Sequence, residues 1–437
     1  MSFPNLLASK TGRLFAFFCL YVTEGIPLGF TATTLATQMR REGLGPEEIG
    51  TFVATLYLPW AWKWALGPVV DTVHSRRLGR RRAWIVGAQL LMVLTLLGSA
   101  SVDFTENLAW FTTIILVHNL FGATQDVAID ALAVQTLPAE ERGLANGLMF
   151  GGAYLGQAIG GAGMLFLLPT LGLNGAFVLV SATILTVTLF VALPLQEAAP
   201  AEPERPLGLS ALREELVGFV KSSFRAMFGT RHAFSAFFVA LLPAGACALS
   251  LSLSSNLAVE LGMSDAAIGE LSLYSAVIAA GACVLGGFLS DRIGRRRGLA
   301  LWLAGTGLPT LWLAWQMSEY GWITPIPLDL PDRPVVPAGL VDALWTASLA
   351  FAFFNGLMYG TRSALFMDVT NPAVAATQFT AYMALLNVTI SYSALWQGHA
   401  VVRWGYPRTL VIDAVLGVLA VALLPLTVPR QSAPTKP

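Results

Sequence analysis

The chain has 437 residues, of which 55% are hydrophobic and only 12% charged, with 26 basic residues balancing 26 acidic ones. A soluble domain is about 25% charged, so this composition excludes an ordinary water-facing surface, and the zero formal charge excludes a global field for nucleic acid. Cys19, Cys247 and Cys283 sit in apolar runs and form neither a metal-ligand spacing nor a disulfide framework.

Twelve apolar stretches, centred near 25, 59, 91, 121, 156, 184, 245, 277, 307, 354, 387 and 417, are each long enough to cross about 30 Å of hydrocarbon. None alternates with period two, so the chain reads as an all-α membrane protein with twelve transmembrane helices and not as a β-barrel. The first stretch contains Glu24 and Pro27 and lacks a small-residue cleavage site, so it reads as a span and not as a signal peptide. Most Lys and Arg residues fall in loops on one side when the N-terminus is cytoplasmic, and an even number of spans then puts the C-terminus there too.

Charges inside spans are costly and need a reason. Glu24 lies about 16 Å along the first span from Arg13 by helical rise. Pro27 is expected to weaken the helix there, making Glu24 a candidate proton site or a partner for Lys63. Lys63 lies about 12 Å inside the second span, counted back from Asp71. It contacts an anionic substrate, snorkels, or pairs with an acid.

The fourth span holds His118, Asn119, Gln125, Asp126 and Asp130. Asn119, Asp126 and Asp130 are spaced i, i+7, i+11 and share one face. Asp126, the deeper acid, reads as a proton site or as the partner of Lys63. Asp130, nearer the cytoplasmic end, is expected to pair with loop arginines and latch the inner gate.

Residues 197–231 are rich in Pro, Glu and Arg and read as a cytoplasmic linker between six-span halves at 1–196 and 232–437. The Pro-rich loop at 317–338 is expected on the outer side as an irregular cover without helix. In the tenth span Asn355, Tyr359, Arg362 and Phe366 are spaced 0, 4, 7, 11, and Asp368 reads as a second latch facing Arg292 or Arg295. The fork of Arg362 suits carboxylate or phosphate, and a structural Arg–Asp pair is the alternative. Lys63, Asn119, Gln125, Tyr359, Arg362, Gln378, Tyr382 and Asn387 form the expected substrate-binding set, although neutral polar residues in spans also serve as glue between helices.

The halves repeat weakly. Gly43 to Gly50 aligns with Gly262 to Gly269, and Gly67-Pro68-Val69-Val70-Asp71 aligns with Gly287-Phe288-Leu289-Ser290-Asp291. Both continue into triple arginine, at Arg80 to Arg82 and Arg295 to Arg297. Such duplication implies a pseudo-symmetric transporter with a site between the halves near mid-membrane. The loop acids can meet helix N-termini and the arginines suit the anionic lipid interface. The expected gating residues are therefore Asp71, Arg80, Asp130, Asp291, Arg292, Arg295 and Asp368.

The run Gly287-Phe288-Leu289-Ser290-Asp291-Arg292-Ile293-Gly294-Arg295-Arg296-Arg297 resembles the loop signature of the major facilitator superfamily. The first copy departs from it by five extra residues within Thr72 to Leu78. Glu24 to Gly29, Lys63 with Gly67 to Asp71, and Thr124 to Asp130 resemble the subgroup of AmpG-type muropeptide permeases, acetyl-CoA transporters and some siderophore importers. Pro138 to Gly143 resembles the muropeptide and siderophore branches, Ala376 to Phe379 the muropeptide branch, and Arg80 to Trp84 the acetyl-CoA branch.

The resemblance implies a monomeric inner-membrane secondary transporter that imports a bulky polar or anionic solute with protons, muropeptide first, then ferric siderophore, then CoA ester. No Walker motif is present, so ATP does not drive it directly. No cofactor, metal or nucleic-acid partner is expected. A membrane enzyme would need a nucleophile or metal cluster that the sequence does not offer, and a sensor would need a larger soluble domain than 197–231.

Overall fold

The structure, a computed structural model, describes residues 5–44, 46–73, 75, 78–197, 218, 221–250, 252–326 and 332–428. These form helices and no β-strand. Helix covers every expected span centre except the one near 245. Among the described residues, seven segments are long and apolar enough to cross a membrane on length and composition alone. One of them, Ala139–Ala192, is divided at Gly172, whose φ of 65° and ψ of 173° interrupt the helix between the fifth and sixth expected spans. The outward surface carries exposed apolar side chains such as Leu94, Phe166, Phe190, Leu395 and Val402, as a lipid-facing surface requires.

Three departures from regular helix bear on function. The first span does not break at Pro27. Its helix Lys10–Gly29 runs on into a π-helical turn at Phe30–Leu35, which absorbs the frame shift around the missing donor. The second span is in pieces: Pro46–Leu56, Leu58–Trp62, a 3₁₀ turn at Lys63–Ala65, and Leu66–Thr72. Pro59 and Pro68 each sit near the start of a piece, where a proline's missing N–H is tolerated. The seventh span is a helix Arg231–Leu241, an irregular stretch over 242–247, and a helix Ser252–Glu260.

Small residues let backbones touch. A Cβ added to Gly29 would lie 2.2 Å from the Gln157 carbonyl oxygen, so the first and fifth spans meet at their glycines. A Cβ on Gly147 of the fifth span would lie 2.3 Å from the carbonyl oxygen of Cys283 in the eighth, and one on Gly360 of the tenth 2.9 Å from Gly147 Cα. The buried core has a matching shape. One apolar cluster joins both halves through residues such as Leu20, Val127 and Leu132 with Phe366, Met367 and Leu386. Two others stay within one half each, around Phe52, Phe111 and Phe177, and around Leu313, Leu344 and Leu410. The halves are therefore packed together toward the end that carries the arginine clusters and separate toward the other.

Most of the expected linker, 198–217 and 219–220, lies outside the described residues, as do Pro327 and Pro331 of the outer loop. That loop begins later than expected, because the ninth-span helix Arg295–Glu319 continues into it. Its described part is pinned by Glu260, which accepts from Trp322 Nε1 at 2.8 Å, the Ile326 N–H at 3.0 Å and the Tyr406 hydroxyl at 2.6 Å.

Candidate functional site

Two acids close the basic end by reaching across the halves. Asp291, at the end of the eighth span, accepts the N–H groups of Gly143 and Leu144 at 3.0 and 2.9 Å. Asp71, at the end of the second, accepts the Thr377 N–H and hydroxyl at 2.9 Å each and the Ala376 N–H at 3.3 Å. Each carboxylate thus caps a helix N-terminus of the opposite half, where unsatisfied N–H groups and the helix dipole favour negative charge.

The arginines divide the work differently from expectation. Arg81, not Arg80, pairs with the Asp71 carboxylate, and both groups are fully buried. Arg80 donates to the Asp71 backbone carbonyl. Asp368 takes Arg295 from its own half and Arg142 from the other, the latter at 3.1 Å. Arg295 also reaches Asp291 at 3.1 Å.

Two gating expectations are corrected. Arg292 stacks on Phe288, 4.2 Å from its ring centre, and makes no ion pair among the described residues. Asp130 is not a latch to a loop arginine. It is buried and accepts the Tyr21 hydroxyl at 2.5 Å, because the helix face it shares with Asp126 turns inward to the first span.

Removing one side of the Asp368 latch leaves the other seals in place, so a partial effect is expected. Asp368→Asn should cost on the order of 1 kcal/mol, roughly fivefold in population. An Asn146→Cys reporter, at a position buried between the halves against Met367, should react several-fold faster with an impermeant maleimide from the basic side. An unchanged rate rejects the latch.

A cavity of 410 Å³ lies on the far side of this seal, within the usual range of ligand pockets. Its wall comes mainly from the second half: the irregular part of the seventh span with Ala244 and Cys247, plus Asn355, Tyr359, Arg362 and Ser393. Tyr154 and Gln157 of the fifth span complete it. Arg362 lies over the Tyr359 ring at 4.6 Å and makes no ion pair among the described residues. Its Nε is buried without a partner among the described residues.

The remaining members of the expected binding set separate. Lys63 is withdrawn from the cavity, its Nζ 2.6 Å from Asp126 Oδ2 and 5.7 Å from the Trp60 ring centre. Gln378 and Tyr382, expected in the binding set, do not line the cavity and instead tie helices together. Gln378 Nε2 donates to Tyr382 at 3.0 Å and to the Ala226 carbonyl, and the Tyr382 hydroxyl donates to Ala233 O. Asn387 donates to Trp60 O across the halves at 3.4 Å. Asn119 Nδ2 and both ends of the Gln125 amide are buried without partners among the described residues.

The sequence reading passed over Asp413. In the twelfth span it accepts the Cys247 and Ala248 N–H groups at 2.8 and 2.9 Å and Gln397 Nε2 at 2.7 Å. It thereby holds the broken seventh span that walls the cavity. The signal was the one used for Asp126, an acid inside an apolar run.

A model of the Major Facilitator Superfamily matches residues 14–315. The anhydromuropeptide permease of Escherichia coli strain K12 is 25% identical over 413 residues, covering 92% of this chain and 77% of that one. The proton:xylose symporter XylE, solved with 6-bromo-6-deoxy-D-glucose, superposes with a TM-score of 0.66 at 15% identity, covering 96% and 97% of the two chains. The E. coli fucose:proton symporter FucP gives 0.64 at 12% identity, covering 95% and 98%. With two capped halves around a central cavity and a family match over most of its length, the chain belongs to the Major Facilitator Superfamily.

Proposed function

We propose that this transporter imports anhydromuropeptide across the inner membrane, coupled to protons. The observation that carries the reading is Arg362, a guanidinium without an ion-pair partner among the described residues on the wall of a cavity sealed at the basic end. A carboxylate-bearing solute would supply the missing counter-charge through two parallel hydrogen bonds. Tyr154, Asn355 and Tyr359 add hydroxyl, amide and ring surface suited to a sugar–peptide. The likeness to the anhydromuropeptide permease over 413 residues supports this solute class.

In this reading the basic loops and both termini are cytoplasmic, and the present arrangement opens away from the cytoplasm. The protein acts as a monomer in lipid, without cofactor, enzymatic activity or nucleic-acid partner. The halves at 1–196 and 232–437 rock about the cavity on the linker 197–231. Opening the cytoplasmic side breaks the caps of Asp71 and Asp291. Coupling resides in Glu24, Asp126 and Lys63 of the first half.

The test is uptake into proteoliposomes of radiolabelled anhydromuropeptide, a ferric siderophore and acetyl-CoA, with and without an inward proton gradient. Gradient-dependent accumulation of the first is expected. Arg362→Met should raise its half-saturation concentration by about ten- to a hundredfold, the weight of a charge-assisted hydrogen bond of about 1.5–3 kcal/mol, with partial recovery in Arg362→Lys. Uptake of only another solute class, or an unchanged half-saturation in Arg362→Met, refutes the reading.

A further inference from the structure

One face of the tenth span runs the length of the cavity. Ser348, Phe351, Ala352, Asn355, Tyr359 and Arg362 all line it, on the three- and four-residue spacing that keeps side chains on one side of a helix. They belong to the helix Ala338–Val369. Arg362 is at the end near the Asp368 latch, and Ser348 lies about 21 Å farther from the seal by helical rise.

The two ends differ in chemistry. Arg362 is the one charged side chain among the described residues that line the cavity. It is 6% exposed, and its Nε lacks a partner among the described residues. Ser348 is buried to the same degree, and its Oγ is unpartnered in the same sense. A serine inside a helix can donate to the carbonyl four residues back, as Ser272 does to Ile268 at 2.9 Å. Ser348 does not, and a buried hydroxyl left unpaired carries a cost that a ligand hydrogen bond removes.

Helix packing sets a second hydroxyl level with Ser348. A Cβ on Gly356 would lie 2.6 Å from the Ala279 carbonyl oxygen, so the eighth and tenth spans touch there. Ser272 stands seven residues and Ser348 eight residues from that contact, both away from the seal. Tyr274 and Trp345 confirm the register, with ring centres 6.2 Å apart. Ser272 also lines the cavity, and its oxygen can still accept. The end far from Arg362 thus offers uncharged donors and acceptors, which match hydroxyl and amide groups.

Length then selects the solute. A three-residue peptide extends at most about 11 Å. With its carboxylate on Arg362 it stops midway and leaves the two serines unmet. A peptide that carries sugar rings continues to them. The reverse placement would set the anionic end against neutral hydroxyls and forfeit the charge-assisted bonds to the guanidinium.

We infer that the cavity holds the solute in one orientation, the peptide carboxylate on Arg362 and the sugar hydroxyl or acetamido groups on Ser348 and Ser272. These two serines are then specificity determinants that favour the sugar-bearing solute over the free peptide. The inference rests on the anhydromuropeptide reading and adds the direction in which that solute lies.

Photo-crosslinking on the full-length protein in lipid nanodiscs reads the orientation. A disaccharide–tripeptide anhydromuropeptide with a diazirine on its sugar should attach within 272–276 or 348–352. The same solute with the diazirine on its last amino acid should attach within 355–362. The exchanged pattern overturns the inference.

Equilibrium binding reads the selectivity. Ser348→Ala deletes a hydroxyl that no described residue uses, so the variant should fold. Its affinity for the sugar–peptide should fall about three- to tenfold, the weight of one neutral hydrogen bond, and the affinity ratio of sugar–peptide to free tripeptide should fall with it. Adding Ser272→Ala should lower that ratio again, whereas Arg362→Met should weaken both ligands. A wild-type ratio in the double serine variant overturns the inference and leaves the solute reading standing. A wild type that binds no sugar–peptide refutes the solute reading, and this inference with it.

Discussion

Replacing Gly147 by valine should force the two halves apart at the basic end and abolish transport. Gly147 belongs to the first half. Its added Cβ would lie 2.3 Å from the Cys283 carbonyl oxygen and 3.0 Å from Val284 Cα, both in the second half. The same glycine faces Gly360 of the tenth span. These obstacles are backbone, so no side chain can swing aside. Overpacking typically costs about 1–3 kcal/mol and sometimes more, and at about 3 kcal/mol the closed population falls on the order of a hundredfold. The strain vanishes once the halves part, so the variant should fold and rest open to the cytoplasm. An Asn146→Cys reporter, buried against Met367 in the closed state, should then label rapidly from the basic side, while proton-driven uptake is lost. Gly281→Val on the neighbouring eighth span is the control, because no described residue lies within 4 Å of its added Cβ. Wild-type labelling and uptake in Gly147→Val would show that the glycine contact does not hold the closed state.

Lys63→Met should sharply lower the yield of folded protein. Both members of the Lys63–Asp126 pair are buried, with side chains 7% and 4% exposed. Removing one partner of a buried pair typically costs about 3–5 kcal/mol, because the other charge is left uncompensated. Here the loss leaves the Asp126 carboxylate buried with no cation in contact among the described residues. Asp126→Asn should lower the yield too, since it leaves the buried Lys63 ammonium without its carboxylate. The double variant Lys63→Met with Asp126→Asn removes the mismatched charge and should recover most of the yield and detergent thermal stability without restoring coupled transport. These are read by fluorescence-detected size exclusion and melting curves. Equal yields in all three variants would mean that the pair carries little of the fold's stability.

The sequence by itself determined the membrane class, the duplicated halves and the residues with chemistry to offer. Runs of about 20 apolar residues leave only a bilayer as solvent, and any charge within them must be paired or functional. Helical spacing placed Asp126 and Asp130 on one face and Tyr359 with Arg362 on another. The tertiary structure decided what each face meets, because spacing fixes a direction around one helix and says nothing of which helix stands there. Asp130 and the loop arginines lie toward the same end in sequence, yet the face turns inward and Tyr21 is the partner. Lys63 had two readings, and the 3₁₀ turn between Trp62 and Leu66 brings its ammonium to Asp126. Asp71 and Asp291 were legible as acids suited to helix N-termini. That each caps a helix of the opposite half, and so closes the protein at one end, depends on contacts between residues as far apart as Asp71 and Thr377. Such contacts exist only once the halves have docked, and no local pattern along the chain encodes them.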